Sequence, residues 1–598
     1  MSRLYKCWIG VALVLVAISL PAQAQNVLAI RVESLDDLIE DVETIAVALG
    51  QEKGSGEGMV QMVASQIGLS HLDMIDGKNP LVVALPLQGM MLGQQGFIGA
   101  FPVSDVDAAV EEMKAAKEGV TVDENGLIHI PTGETTEMLL MRANGYLVFG
   151  QNANLVGGFD PGELLSGAHL PPGTIAAEFN VDSMRAMIGM TIEGARQSIL
   201  NAVTQGAEAG GGAMDAEAAQ AVSGTVVDWM QALVANTRAV QLSIEVTDNH
   251  LVVHNHYLPV ADSTLGGFLK AQKGGMPDIA RLLDGKDSSM TMVANMQWTD
   301  DAIAAVEGFM NGYSTLLQQV MKGQEGTEAI AGMMPAILEQ YSGMWKCTRG
   351  DMAQVMNTSD GLSFVQVAGL KDTDDCRGLD KAVGEMMSSL PEEIGEMMTY
   401  SPGALSHGGV QVARTAVHLD KFVDVPEEAG EDVAKVLEGM FGEDGFNTYM
   451  ATSGNLMLVT GGAGGEDAMR AMIDRTQKSK SGQGIDASTF APFDVNAGLY
   501  FSMDFGKLFA GIQGMLPEDT DATELAEVQQ VMDALGAMTG ALELQPDALA
   551  LKFAMGTAGL ATIAEIAERE RAAEMESGEH GEGHDHGHDH GEHGEGHN

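Results

Sequence analysis

Residues 27–49 read VLAIRVESLDDLIEDVETIAVAL, and this stretch decides the fold class. Its apolar start gives way to Ser34 and two aspartates, after which apolar residues return at helical spacing. A serine beside acidic residues is typical of a helix start, because its side-chain oxygen accepts hydrogen bonds from free backbone amides. The stretch therefore predicts a strand that runs directly into a helix.

This pattern belongs to a series of four kinds of segment. The first kind recurs at 174–190, 290–310 and 496–512; strands that lead into an acidic helix start lie at 97–113 and 363–383; hairpins followed by a small-residue helix lie at 137–156 and 447–469; other hairpins lie at 239–258 and 540–555. All four kinds recur in the same order. We therefore expect two homologous halves, residues 26–272 and 288–572.

Hairpins dominate both halves, and two of them turn at the favoured dipeptides Asn144-Gly145 and Gly454-Asn455. The expected fold class is α+β, with two tandem related halves, each a largely antiparallel sheet with helices packed on one face. Long helices are expected near 183–236 and 299–340, and the first should break at the glycines 210–212.

The first 24 residues have the organisation of a signal peptide. Arg3 and Lys6 precede an apolar run, and Ala22-Gln23-Ala24 forms a small-residue cleavage site. The run is shorter than the roughly 20 residues of a spanning helix, and no later stretch reaches that length. We expect cleavage near Ala24, export to the periplasm or the medium, and no membrane span.

The charge excludes one class of partner. The chain has 84 acidic and 32 basic residues, for a net charge of -52. Such a surface repels nucleic acid and anionic lipid headgroups, so no nucleic-acid partner is expected. Solubility in a salty medium and a specific cationic partner are both compatible with this charge.

Beyond the signal peptide only two cysteines remain, Cys347 and Cys376. In an oxidising compartment we expect them to form a disulfide, which the chain-entropy estimate credits with about 3 to 4 kcal/mol. A nucleophilic thiol is the alternative, and it would require a nearby histidine.

The tail at 577–598 has the clearest chemical signature of the chain. Its candidate metal ligands are His580, His584, His586, His588, His590, His593, His597, Asp585 and Asp589. Imidazoles and carboxylates on a glycine-rich chain bind divalent zinc, nickel, copper or cobalt. We expect a tail that is disordered without metal, and no cofactor that the rest of the chain requires. An incidental acidic tail is the alternative.

A weaker metal candidate is the pair His254 and His256 in LVVHNHYL, because residues two apart share one face of a strand. A solvent-facing polar side of a hairpin explains the pair equally well. The 40 methionines predict core packing or, as the alternative, an adaptable groove for an apolar ligand.

Familiar catalytic motifs are missing: the sequence contains no G-x-S-x-G, no H-E-x-x-H and no G-K-[ST]. The recurring acidic pairs Asp105/Asp107 and Asp372/Asp374 are interpreted as helix-start charges. A triad assembled from distant segments would leave no local motif, so an enzyme stays open.

The stretches IRVESLDDLIEDVETIA and GAFPVSDVDAAVEEM resemble uncharacterised exported bacterial proteins, classed as a domain of unknown function with repeated strand-Asp-helix units. The resemblance implies an extracytoplasmic α+β protein and provides no catalytic residues. The leading expectation is a non-enzymatic exported protein whose tail binds divalent metal. A carrier of an apolar ligand between sheet and helices is the first alternative, and an extracytoplasmic hydrolase the second.

Overall fold

The computed structural model describes most of the chain between residues 26 and 562. The described residues are 26–48, 54, 58, 61, 74–132, 137–162, 170–209, 216–247, 250–321, 342–343, 345–359, 361–379, 383–384, 398–418, 445–478, 484–496, 498–513, 522–559 and 562. The expected signal peptide, the glycines 210–212 and the histidine-rich tail lie outside them.

Twenty strands form the framework of the described part of the chain. They are β1 Asn26–Val32, β2 Leu81–Pro86, β3 Ile98–Pro102, β4 Thr121–Val122, β5 Ile128–Pro131, β6 Glu137–Ala143, β7 Tyr146–Gly150, β8 Ile175–Phe179, β9 Thr237–Val246, β10 His250–Pro259, β11 Met290–Asn295, β12 Thr348–Asn357, β13 Ser363–Leu370, β14 Met398–His407, β15 Val410–Val417, β16 Phe446–Ser453, β17 Leu456–Gly462, β18 Gly498–Asp504, β19 Ala537–Gln545 and β20 Ala548–Gly556.

Helices connect many of these strands. They are α1 Leu35–Ala48, α2 Val106–Ala116, α3 Ala153–Gly158, α4 Val181–Ala209, α5 Ala216–Asn236, α6 Thr264–Lys270, α7 Asp300–Met321, α8 Asp374–Arg377, α9 Gly465–Gln477, α10 Phe505–Gln513 and α11 Ala522–Leu535, with 3-10 helices at Gly89–Gly96, Asp278–Leu282 and Ala487–Phe490. The predicted strand-to-helix segments correspond to β1–α1, β8–α4, β11–α7 and β18–α10.

All twenty strands join one antiparallel sheet. Its order is β4-β5-β6-β7-β3-β2-β1-β8-β9-β10-β20-β19-β18-β11-β12-β13-β17-β16-β15-β14. Strands β1–β10 form one half of this order and β11–β20 form the other. Counted inward from the two outer edges, β4 and β14, the two sets have the same order, with each number of the second set ten higher. The two sets meet where β10 pairs with β20, from His250 opposite Gly556 to Tyr257 opposite Leu549.

Local chemistry accounts for the turns and helix starts. Asn144 and Gly145 have φ of 46° and 84°, as a two-residue hairpin turn requires, and Gly454 has φ of 62°. Asp105 caps α2, because its carboxylate accepts hydrogen bonds from the amides of Asp107 and Ala108. The predicted turns and this predicted helix-start charge are thus confirmed.

Helices cover both faces of the sheet. The face that carries α1, α2 and α4, which we call the helix face, packs Phe101 and Leu147 against α2. The opposite face, which we call the back face, packs Val82 and Ala100 against Val156 of α3, and α9 packs there as well. The expectation of helices on one face is therefore wrong for α3 and α9. All five residues of β3 are buried, so this part of the sheet requires cover on both sides.

Cys347 and Cys376 lie at disulfide distance, with their Cα atoms 5.1 Å apart. Both are buried beside Leu370, Leu379 and Met457, where they join the start of β12 to the short helix α8. Within the described part of the chain, no helix combines the length and the apolar character needed to cross a membrane.

Candidate functional site

The centre of the sheet, from β8 across β9, β10, β20 and β19 to β18, differs from its outer parts. Here most of the back face is buried, whereas the helix face is partly exposed. Leu242 of β9 is 44% exposed, and Leu551 and Phe553 of β20 are each 37% exposed. Their neighbours along the strands, such as Ser243 at 1%, are buried. In the centre of the sheet, the helix face therefore exposes apolar side chains, whereas polar side chains such as Ser243 are buried on the back face.

The exposed apolar residues lie with half-buried ones in continuous rows, because residues directly opposite each other on paired strands point to the same side. One row runs through Ile175, Ile244, Val253, Phe553, Gly540 and Phe501. A parallel row runs through Ala177, Leu242, Asn255, Leu551, Leu542 and Leu499. We call these two rows the central apolar face; Asn255 is its one polar member.

A glycine shapes the middle of the central apolar face. Gly540 lies between Phe501 and Phe553, whose ring centroids are 6.4 Å apart. A Cβ at Gly540 would overlap the Phe501 ring. The glycine thus lets two aromatic rings lie over the sheet where another side chain would stand between them.

Methionines border the central apolar face. Met356, Met290, Met503 and Met538 are direct cross-strand neighbours on β12, β11, β18 and β19, and each is half-buried. Because methionine is flexible and polarisable, such a row adapts to apolar partners of different shapes. This is the arrangement that the groove alternative for the methionines requires.

The helices next to this face expose further apolar side chains. Met190 of α4 is 67% exposed, Leu233 of α5 is 57% exposed, and Phe309 of α7 is 52% exposed. Helices α5 and α7 meet where Trp229 lies 4.9 Å from Phe309 between ring centroids. Scattered exposed apolar residues are common, but a sheet face and neighbouring helices that expose them together indicate a binding surface.

The weak metal candidates lie behind this face. His254 and His256 are on the back face of β10 and are 7% and 8% exposed. The solvent-facing explanation for this pair is therefore wrong. Neither His254 nitrogen, nor Nε2 of His256, has a hydrogen-bond partner in the part of the chain that the structure describes. Glu245 Oε2, at 3.7 Å from His254 Nε2, is too distant for a hydrogen bond.

Charged groups surround the two imidazoles. Lys552 is directly opposite His254, and its Nζ lies 2.8 Å from Oε2 of Glu543, a side chain that is nearly fully buried. The pKa of His256 is lowered to about 4, chiefly by burial and then by Lys552 and His254, while Glu543 and Asp547 oppose the decrease. Burial, and then Lys552, also lower the pKa of His254. Both imidazoles are therefore neutral at neutral pH.

A metal site requires several ligands that converge. Among the described residues, no group of three or more histidine, cysteine or acidic side chains has the geometry to hold a metal ion. His254 and His256 come together with each other but not with a third ligand. The predicted ligands of the tail, from His580 to His597, lie outside the described residues.

Sequence reasoning did not identify Leu242, Leu551 and Phe553 as site residues. In QLSIEV and ALALKFAM every second residue is large and apolar, which indicates strands with two different faces. This pattern does not tell which of the two faces is covered in the folded protein. The comparisons with known proteins provide no further guide, because no family model, no curated protein and no solved structure matches this chain.

Proposed function

We propose that the protein is a non-enzymatic exported carrier that binds a chain-like apolar ligand on the central apolar face, between the sheet and its helices. The observation that carries the proposal is the pair of rows of partly exposed apolar side chains that cross the middle of the sheet, one through Leu242 and Leu551 and the other through Phe553. Sheet centres that face solvent on one side normally expose polar residues there.

The energetics favour a ligand over solvent. Complete burial of a leucine or phenylalanine side chain contributes about 1.5–3 kcal/mol, so covering the exposed part of each of these three contributes roughly 1 kcal/mol. Contacts with the half-buried residues of the same rows and with the methionines add to this. A ligand that covers several rows thus binds without any buried charge pair.

The dimensions favour an extended ligand. Five strand spacings separate β8 from β18, a width of roughly 24 Å at about 4.8 Å per strand. A long acyl chain can lie across this width, and a compact ring cannot reach both ends. Asn255, an exposed amide in the middle of an apolar row, offers one hydrogen-bonding position to such a ligand.

A fluorescent fatty acid tests the proposal. We expect saturable binding of cis-parinaric acid to the full chain, and at least about tenfold weaker binding after Leu551→Asp, because the carboxylate would have to be desolvated under the ligand. The matched control is Val122→Asp: Val122 is 42% exposed on β4, at the outer edge of the sheet, and this variant should bind like the wild type. Equal weakening in both variants, or no saturable binding by folded wild type, would exclude the proposal.

We also propose that the chain arose by duplication, with halves at 26–272 and 288–572. The support is the strand order, in which adding ten to each number of the first set gives the order of the second set. The recurrence of α1 after β1 and of α7 after β11, and of paired helices before β9 and β19, supports the same conclusion.

A second function, metal binding by the tail, is favoured by its seven histidines between residues 580 and 597. We propose that the tail holds divalent zinc, nickel, copper or cobalt without a fixed open coordination position, which suits buffering or delivery better than catalysis. Native mass spectrometry without a metal-affinity step should find metal on the full chain and none on a chain that ends at Glu576. Equal metal content in both would place the ions elsewhere.

A further inference from the structure

A second candidate site, independent of the central apolar face, is a cavity of about 320 Å³ beside β11 and β18. Its lining includes Lys286, Ser288, Thr291, Asp486, Ser502 and Lys507. Its size is in the range of small-molecule sites. Among the described residues, the lining contains five hydroxyl side chains, two lysines and two aspartates, and no aromatic residue, arginine or methionine.

The cavity opens on the back face. Thr291 and Ser502, which are direct cross-strand neighbours, contribute to its floor. They alternate with Met292 and Phe501, which point to the helix face. The hydroxyls of Ser288 and Thr291 are 2.7 Å apart. The two candidate sites therefore lie on opposite sides of the same strands and can be tested separately.

Two loops place a positive and a negative charge at this cavity. An isolated bridge joins Asp284 to Gly484 in parallel, and Lys286 and Asp486 each follow two residues later. The Asp486 carboxylate accepts a hydrogen bond from the amide of Ser488, 2.8 Å away, and this bond contributes most to holding its pKa below the usual range. The carboxylate is therefore ionised at neutral pH.

Lys507 and Asp504 form an ion pair at this cavity, whereas Lys286 and Asp486 do not. Lys507 Nζ lies 3.4 Å from Asp504 Oδ2 and 3.5 Å from the carbonyl oxygen of Ser288. Lys286 and Asp486, in contrast, have no ion-pair partner among the described residues, and they do not pair with each other. Both side chains are exposed, so an ammonium and a carboxylate that line the same cavity are open to a ligand from solvent.

We infer that this cavity binds a small zwitterion of the size of an amino acid or dipeptide. Lys286 faces the carboxylate of the ligand, Asp486 faces its ammonium, and the hydroxyls of Ser502 and Thr489 accept and donate the remaining hydrogen bonds. The balanced charges disfavour a phosphate dianion, which two aspartates would repel. The polar lining disfavours the apolar ligand of the central apolar face.

Isothermal titration calorimetry of the full chain with dialanine tests this inference, with N-acetyl-dialanine amide as the uncharged counterpart. We expect saturable binding of dialanine, no measurable binding of the blocked peptide, and at least about tenfold weaker dialanine binding after Lys286→Met or Asp486→Asn. The control variants Lys273→Met and Asp262→Asn change exposed charges outside the cavity and should leave the binding unchanged.

Two results would overturn the inference. One is the absence of saturable dialanine binding by wild type that circular dichroism shows to be folded. The other is dialanine affinity that is the same in wild type, Lys286→Met and Asp486→Asn. Both results are independent of cis-parinaric acid binding, so failure here is distinguishable from failure of the carrier proposal.

Discussion

Acid should destabilise this protein through His256, and the size of the effect follows from its surroundings. In the unfolded chain the imidazole takes up a proton near its ordinary pKa of 6.5, whereas burial beside Lys552 lowers the pKa in the folded protein to about 4. Between these values the unfolded state binds more protons. Stability is therefore fully present above pH 6.5 and decreases as the pH falls towards 4.

Linkage gives the magnitude. At pH 4.5 the unfolded imidazole is almost fully protonated and the folded one is mostly neutral, which corresponds to a loss of about 2.5 kcal/mol relative to pH 7.5. His254, whose pKa is also lowered, adds to the loss in the same direction. Acidic residues with lowered pKa values, such as Asp474 and Asp486, also weaken the fold in acid, so the comparison must be made between variants.

The perturbation is His256→Gln, which removes the titrating group from the same buried strand. Urea unfolding, followed by tryptophan fluorescence at pH 7.5 and 4.5, should show a loss of stability between the two pH values that is about 2.5 kcal/mol smaller in the variant than in wild type. Asn255→Gln, on the opposite side of the same strand, removes no titrating group and serves as the control. The reasoning is refuted if wild type and His256→Gln lose the same stability.

Two further predictions concern stability. Titration of mature protein without reductant should find no reactive thiol, and replacing both Cys347 and Cys376 by serine should lower the free energy of unfolding by about 3 to 4 kcal/mol; two reactive thiols would contradict the pairing. Gly540→Ala should cost about 1–3 kcal/mol because the methyl group overlaps the Phe501 ring, whereas Gly308→Ala, in open space on α7, should stabilise by about 0.5–1 kcal/mol in the same denaturation assay.

The local elements could be predicted from the sequence because their causes are local. The turn at Asn144-Gly145 requires positive φ at both residues, and few dipeptides adopt it without strain. Asp105 caps a helix through amides only two and three residues away. The order of the segments also indicated an α+β fold with antiparallel pairing, since hairpins pair neighbouring strands without a crossover.

The candidate site could not be predicted, because it depends on which side of the central strands is covered. In β10 the histidines alternate with Val253, Asn255 and Tyr257, and either set could face solvent. Histidines are more often exposed than valine, and here the histidines form the buried set. That choice depends on distant parts of the chain that cover the back face, where Val252 belongs to one core cluster with Ile279 and Phe490, and it therefore leaves no sign in the local pattern.

The pairing of β10 with β20 also explains why the candidate site belongs to neither set of ten strands alone. An end strand with free amides tends to pair with other chains, and the outer ends of this sheet are blunted: β4 has only two residues, and β14 contains Pro402 and a shift of register. The inner ends have no such protection and are eight paired residues long. Joining them covers both open edges, places Lys552 beside the buried histidines, and brings Leu242 and Leu551 into one row. The central apolar face is therefore a product of the junction, and a mutation that opens the junction should abolish apolar binding even if it touches no residue of that face.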